Sequence, residues 1–271
     1  MWRYPCEWLK SLTSRAMRQA YRTALVTGAS SGIGESFARA LAGRGADLVI
    51  VARRAERLDE LARELVERYG VAVEVVAADL TDPVERGEVE RRLREDPVEL
   101  LVNNAGYGAF GAFADAALDD QLRQVELNVV ALVRLTHAAL PSMIERGRGG
   151  VLNVASMAAF APSPGSATYG ATKAYVAAFS ESVHAEVAGK GVHVTALCPG
   201  FTRTDEESEA GLMWLRRADV ARAGLDAVSA GRALCVPGAQ YKAAFPALRM
   251  LPRPLLRAAA SRMWHQAAGS R

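Results

Sequence analysis

Thr23-Ala24-Leu25-Val26-Thr27-Gly28-Ala29-Ser30-Ser31-Gly32-Ile33-Gly34 is the stretch that decides how this chain folds. Its first five residues are apolar and β-rich and predict a buried parallel strand. Three glycines follow at positions 28, 32 and 34, and then Phe37, Ala38, Leu41 and Ala42 recur on one helical face. Strand, glycine-rich turn and helix together aim backbone N–H groups at a phosphate. The spacing is G-x-x-x-G-x-G, not the commoner G-x-G-x-x-G. Gly28, Ser30, Ser31, Gly32, Ile33 and Gly34 are therefore candidate contacts to a dinucleotide.

The same alternation continues outward from this stretch. Residues 47–52 form a second apolar strand that ends at Arg53-Arg54. An acidic residue at that end would bind a ribose 2′-hydroxyl, whereas arginine accommodates a 2′-phosphate. Arg53 and Arg54 point to NADP(H) rather than NAD. Residues 71–78 are a third strand, followed by Asp79 and Leu80 at the end where ligands collect in open α/β sheets. Asp79 is read as an acceptor for an adenine amino group or as a helix cap, and Asp82-Pro83 as a cap with a first-turn proline. Residues 99–102 form a fourth strand, then Asn103-Asn104-Ala105-Gly106, whose residues 104–106 are candidate cofactor contacts. A long helix is expected over 115–140, with Asn128 inside an apolar stretch. A buried asparagine needs partners, either backbone groups or a water in a proton path. Residues 150–155 form a fifth strand closed by Ser156, and 192–197 a sixth. Alternating strands and helices predict a doubly wound parallel sheet.

Tyr169 and Lys173 lie four apart, on one face of the helix after the fifth strand. A free tyrosine titrates near ~10 and is a poor base at neutral pH. An adjacent ammonium favours the phenolate, and a tuned phenol exchanges a proton with a carbinol or carbonyl oxygen.

Composition narrows the classes. The chain has 271 residues, is 50% hydrophobic and carries a formal charge of +3, with arginines spread along it. No clustered basic face marks a nucleic-acid partner. Cys6, Cys198 and Cys235 have neither metal-ligand nor disulfide spacing, and His137, His184, His193 and His265 are scattered, so no metal is expected. This cysteine usage fits a reducing, cytoplasmic location. No run approaches the ~20 apolar residues of a spanning helix. Residues 1–20 mix Trp2, Trp8 and Leu9 with basic residues. An arm packing on its own domain or on a second subunit is preferred there to an interfacial segment.

Taken together, Thr27-Gly28-x-x-x-Gly32-x-Gly34, Asn103-Asn104-Ala105-Gly106, Asn128, Ser156, Tyr169-x-x-x-Lys173 and Pro199-Gly200-x-x-x-Thr204 resemble the short-chain dehydrogenase/reductases over roughly residues 22 to 205. The resemblance implies a single Rossmann-type domain with seven parallel strands and helices on both faces. It implies a catalytic tetrad of Asn128, Ser156, Tyr169 and Lys173. Tyr169 would be the general acid/base and Ser156 the partner of the substrate oxygen. Lys173 would lower the phenol's pKa and hold the nicotinamide ribose, and Asn128 would position a water. Pro199, Gly200, Thr202 and Thr204 would border the cofactor. The implied function is hydride transfer between NADP(H) and a carbonyl or secondary alcohol of a fairly apolar substrate, of 3-oxoacyl or ketosteroid type. A non-catalytic NADP(H)-binding sensor or scaffold is the alternative.

Residues 205–271 match the family less well. They are expected to form a substrate lid around 205–217, with plain core packing an equal reading, and then a helix. A seventh strand over 233–236 and an apolar-basic tail should follow. The tail suits a subunit interface of a homodimer or homotetramer, with peripheral membrane contact as the second reading.

Overall fold

The computed structural model describes residues 21–203, 211 and 213–269. Expectations placed on residues 1–20 and on Thr204 lie outside them. The first half comprises β1 (Thr23–Thr27), α1 (Gly32–Ala42), β2 (Asp47–Ala52), α2 (Ala55–Tyr69), β3 (Val73–Ala77), α3 (Pro83–Glu95) and β4 (Leu100–Asn103). A helical run follows, composed of α4 (Leu118–Val125), a π-turn (Glu126–Ala131) and α5 (Leu132–Glu145). The second half comprises β5 (Gly149–Val154), α6 (Ala167–Glu186), β6 (Val192–Leu197), α7 (Arg217–Ser229), β7 (Leu234–Cys235), α8 (Ala239–Met250) and α9 (Arg253–Gly269).

The seven strands are parallel and lie in the order β3-β2-β1-β4-β5-β6-β7. Side chains alternate across the sheet and divide the core into two clusters. Ala24, Val26, Ile50 and Val102 pack with Phe37 and Leu41 of α1, Leu58 of α2 and Leu225 of α7. Leu25, Val49, Val51 and Leu101 pack on the other face with Leu93 of α3 and Leu135 and Met143 of α5. Burial on both faces explains why the strands read as continuous apolar runs. The strand order reverses between β1 and β4, and a crevice opens at their carboxyl ends, where doubly wound sheets bind ligands.

Several expected boundaries move. β3 is shorter than the 71–78 reading, and β7 is only a two-residue edge strand. The helix expected over 115–140 begins later, runs to Glu145 and widens into the π-turn at Glu126–Ala131. Such turns concentrate at functional sites, and here Asn128 lies inside one. Asp82 caps α3, accepting from the N–H groups of Val84 and Glu85 at 2.8 and 3.0 Å, with Pro83 in the first turn. Asp79 is therefore not the cap. Contrary to expectation, one helical run, Leu118–Glu145, is long and apolar enough to cross a membrane. Its apolar length has a structural use, because Leu135, Ala138, Ala139 and Met143 are buried in the sheet core.

Candidate active site

A cavity of about 1250 Å³ occupies the crevice. Its floor is backbone. Gly28 has a φ of +67°, and a Cβ there would stand 2.8 Å from Asn104 Nδ2 and 2.9 Å from Ala105 Cα. A Cβ on Gly34 would stand 2.7 Å from the Gly28 carbonyl carbon. Only glycine lets the β1–α1 turn lie this close to the end of β4. Thr27 and Asn104 then join the two: the N–H groups of Asn104 and Ala105 both donate to Thr27 Oγ1 at 3.0 Å, and Asn104 Nδ2 donates to Thr27 O at 2.9 Å. Ser31 occupies the N-cap of α1 but gives it no side-chain cap. The first-turn N–H groups of α1 are left for an anion, so the turn fits a dinucleotide phosphate.

The far end of the cavity is charged. Arg54 donates to Ser30 Oγ and Ser31 Oγ, each at 2.9 Å, and so braces the glycine turn. Arg53 is 68% exposed and stands 3.9 Å from Asp79 Oδ2. That carboxylate is otherwise engaged. Thr81 donates to Oδ1 through its N–H and its hydroxyl, and Arg123 binds Oδ2 at 2.6 Å. Burial opposes the ionised form of Asp79, but these partners prevail and its pKa lies below the ordinary carboxylate value. Arg123 was not singled out from the sequence, since an arginine on an amphipathic helix carries no motif.

At the other end, Ser156, Tyr169 and Lys173 line the same cavity. Tyr169 stands in the first turn of α6, with Lys173 one turn later. Lys173 is 5% exposed, its ammonium donates to the Val154 carbonyl at 2.7 Å, and it lies 5.7 Å from the centre of the Tyr169 ring. Burial lowers its pKa to about 8, which leaves it mostly charged at neutral pH. The expected lowering of the phenol's pKa by this ammonium is corrected here. Burial raises the Tyr169 pKa, and a hydrogen bond with Ser156 opposes the rise. The Val154 carbonyl, not the phenol, is the nearest partner of the ammonium.

Asn128 is 1% exposed. Its Oδ1 accepts from Tyr107 N at 3.1 Å, and its Nδ2 donates to Tyr107 O at 2.9 Å and to Thr172 Oγ1 at 3.1 Å. It clamps the loop after β4 at Gly106, where a Cβ would be 2.8 Å from Asn128 Oδ1 and 3.3 Å from Lys173 Nζ. Among the described candidates, all but Gly32, Gly34 and Asn128 line the cavity, and Gly34 and Asn128 pack behind it.

Further residues escaped the sequence reading. Behind the site, Asn103 Nδ2 donates to Asn153 Oδ1 at 2.9 Å and Thr136 Oγ1 at 3.0 Å, and Asn153 Nδ2 donates to Ser180 Oγ at 2.9 Å. This buried network ties β4, β5, α5 and α6 together. The phenol of Tyr241 in α8 accepts from Phe201 N at 3.0 Å and donates to Met213 O at 2.7 Å. Gly200 passes so close to the Tyr241 ring that no Cβ fits between them. Trp264 of α9 lines the cavity and packs on Gly165, whose φ is +77°. Ala260 and Trp264 of the tail thus border this end of the cavity.

Known proteins resemble this chain in sequence and fold. The family model for short chain dehydrogenases matches residues 22–212. The chain belongs to that family. A very-long-chain 3-oxoacyl-CoA reductase from Anas platyrhynchos is 36% identical to this short-chain dehydrogenase over 189 residues, which is 67% of this chain. The match spans 60% of the length of that reductase. The crystal structure of a bulky-bulky ketone specific alcohol dehydrogenase from Comamonas testosteroni is 37% identical, with a TM-score of 0.76 over 85% of this chain and 93% of its own. A short-chain dehydrogenase from Sphingobium yanoikuyae, solved in complex with NADPH, is 38% identical, with a TM-score of 0.77 over 83% and 91%. The stretch matched by the family model ends before α7, whereas the solved structures match a larger share of the chain.

Proposed function

We propose that this short-chain dehydrogenase transfers hydride between NADP(H) and a carbonyl or secondary alcohol of a fairly apolar substrate, of 3-oxoacyl, ketosteroid or similar class. The observation that carries the proposal is one cavity that joins a glycine-rich phosphate turn, two arginines and the trio Ser156, Tyr169 and Lys173. The NADPH complex of the Sphingobium relative and the bulky ketones of the Comamonas relative support it. Gly28, Gly34 and the first turn of α1 would hold the pyrophosphate, and Arg53 and Arg54 the 2′-phosphate. Bound there, the nicotinamide would supply or accept the hydride.

The chain's own residues handle the proton. A phenol whose pKa burial has raised is protonated at neutral pH and therefore suits donation to a carbonyl oxygen. Ser156 bonds the same phenol and would share the substrate oxygen, fixing its position. Lys173 places a charge at the floor of the site, where it stabilises the phenolate left after donation. Asn128 positions the Gly106–Tyr107 loop rather than touching the reacting atoms. Apolar side chains around the trio, including Phe110, Met157 and Trp264, suit an apolar substrate. The scattered cysteines support a reducing, cytoplasmic location.

The test is a panel of bulky ketones and 3-oxoacyl thioesters, monitored by NADPH oxidation. Turnover of at least one, abolished in Tyr169→Phe with NADPH binding retained, is the expected result. NADPH binding with no turnover across the panel would favour the sensor reading, and no NADPH binding would remove both.

A further inference from the structure

Positive charge is in excess at both ends of this chain: residues 1–20 hold four basic residues and one acidic, and the charged residues of the C-terminal end are basic alone. Residues 239–271 hold Lys242, Arg249, Arg253, Arg257, Arg262 and Arg271 and no aspartate or glutamate. The remaining 27 basic residues, in 1–238, are outnumbered by all 30 acidic ones. Such asymmetry marks an interaction surface for an anionic partner.

The geometry of α8 and α9 narrows the kind of partner. α9 is held by one stripe: Leu256 is buried, and Ala260 and Trp264, four and eight residues later, line the cavity. Its outer side and the turn from α8 face outward. Met250, Leu251 and Leu255 are 83%, 45% and 57% exposed, and Arg249, Arg253 and Arg257 are exposed around them. No ion pair among the described residues involves these three arginines. Arg249 stacks over Phe245, 5.7 Å from the ring centre, so its stem runs along the hairpin.

Three occupants would cover such a face, and the chemistry separates them. A second copy placed by a two-fold axis would set this cationic patch against itself. A nucleic acid would pair the arginines and leave Met250, Leu251 and Leu255 in water. An anionic lipid surface satisfies both sets at once, with arginines at the phosphates and the apolar side chains at the acyl boundary.

We propose that the α8–α9 turn docks this protein on an anionic lipid surface. The inner stripe of α9 lines the substrate cavity and its outer side meets the lipid, so one helix diameter, about 10 Å, separates the two. An apolar substrate dissolved in the membrane is then delivered beside Trp264.

The experiment is sedimentation of the full chain with vesicles of phosphatidylcholine alone, or with about 30% phosphatidylserine, in about 0.1 M salt. Binding to the anionic vesicles alone, weakened by added salt, is expected. R249Q/R253Q/R257Q should lower that binding about 100-fold, near fivefold per arginine, and M250S/L255S about tenfold. Removal of residues 1–20 should leave it in place. NADPH binding verifies the fold of each variant, since none of these side chains lines the cavity. Absence of binding to anionic vesicles, equal binding to both, unchanged binding by the variants, or loss with residues 1–20 would each overturn the proposal. So would a wild-type dimer that the same substitutions dissociate, or preferential binding of duplex DNA through these arginines.

Discussion

The nucleotide end and the substrate end of the cavity are built in different ways. At the nucleotide end, the floor is set by backbone, with Gly28 and Gly34 leaving no room for a Cβ where the turn meets the end of β4 and Thr27 tying two strand ends together. At the substrate end, the wall is made by side chains from the turn after β5, including Met157, from α6 and from α8 and α9. A backbone cradle can be built in essentially one way and carries a spacing. A side-chain wall has many solutions. One end is thus constrained by the backbone and the other is open to variation in its side chains.

That separation is open to test, beginning with the largest effect. Tyr169→Phe should reduce turnover by roughly 10³-fold, within the range for a lost general acid, while the NADPH dissociation constant stays within twofold. A large rise in that constant, measured by fluorescence titration, would show the two ends to be coupled through the phenol.

Lys173 stands between the two ends. Its folded pKa of about 8 lies below its ordinary 10.5, so between these values the unfolded chain binds more protons. Wild type should therefore gain stability as pH rises from 8 to 10.5, by up to about 3 kcal/mol, relative to Lys173→Met. Below pH 8 the whole penalty of the buried ammonium is present, and Lys173→Met should be the more stable protein though inactive. The buried Cys235 thiol contributes alike to both proteins, whereas the Cys198 thiol interacts with the Lys173 ammonium and shares in the difference. Urea unfolding at pH 7 and pH 10 provides the measurement, and a gap independent of pH would refute the reading.

Arg53→Asp should lower the preference for NADPH over NADH by roughly 10- to 100-fold, the worth of one or two charge-assisted hydrogen bonds. Arg54 is the less clean choice because it also braces Ser30 and Ser31. An unchanged preference would move the 2′-phosphate away from Arg53. The smallest effect is expected at the substrate end: Trp264→Ala should reduce kcat/KM for bulky ketones about tenfold and leave small ketones and NADPH binding unaffected. Equal losses for small and bulky substrates would make Trp264 a packing residue only.

Legibility in the sequence follows the same division. The strands are apolar on both faces and bounded by glycine turns, so β1, β2 and β6 are readable nearly to the residue. The turn at 28–34, the arginine pair and the Tyr169–Lys173 spacing are local, and local patterns survive in one dimension. Arg123, Tyr241 and Trp264 act at the cavity through tertiary contact, 44, 40 and 99 positions from Asp79, Phe201 and Gly165 respectively. Nothing near them in the chain announces it. The π-turn was hidden for a related reason, since one extra residue in a helical turn leaves the apolar pattern nearly intact. The direction of the Tyr169 shift depended on how deeply the ring is buried, which a spacing cannot report.

The Tyr241 phenol has a practical consequence for engineering. It fastens Phe201 and Met213 together and presses on Gly200, so the family motif reaches structurally into α8. A chimera that exchanges C-terminal segments among short-chain dehydrogenases at residue 212, where the family match ends, would cut between this fastener and what it holds. A junction placed after Tyr241, near Lys242, keeps the nicotinamide-side loop with its own support and exchanges only the rest of α8 and α9. Substrate range and surface charge then become a removable cassette on an unchanged nucleotide-binding body.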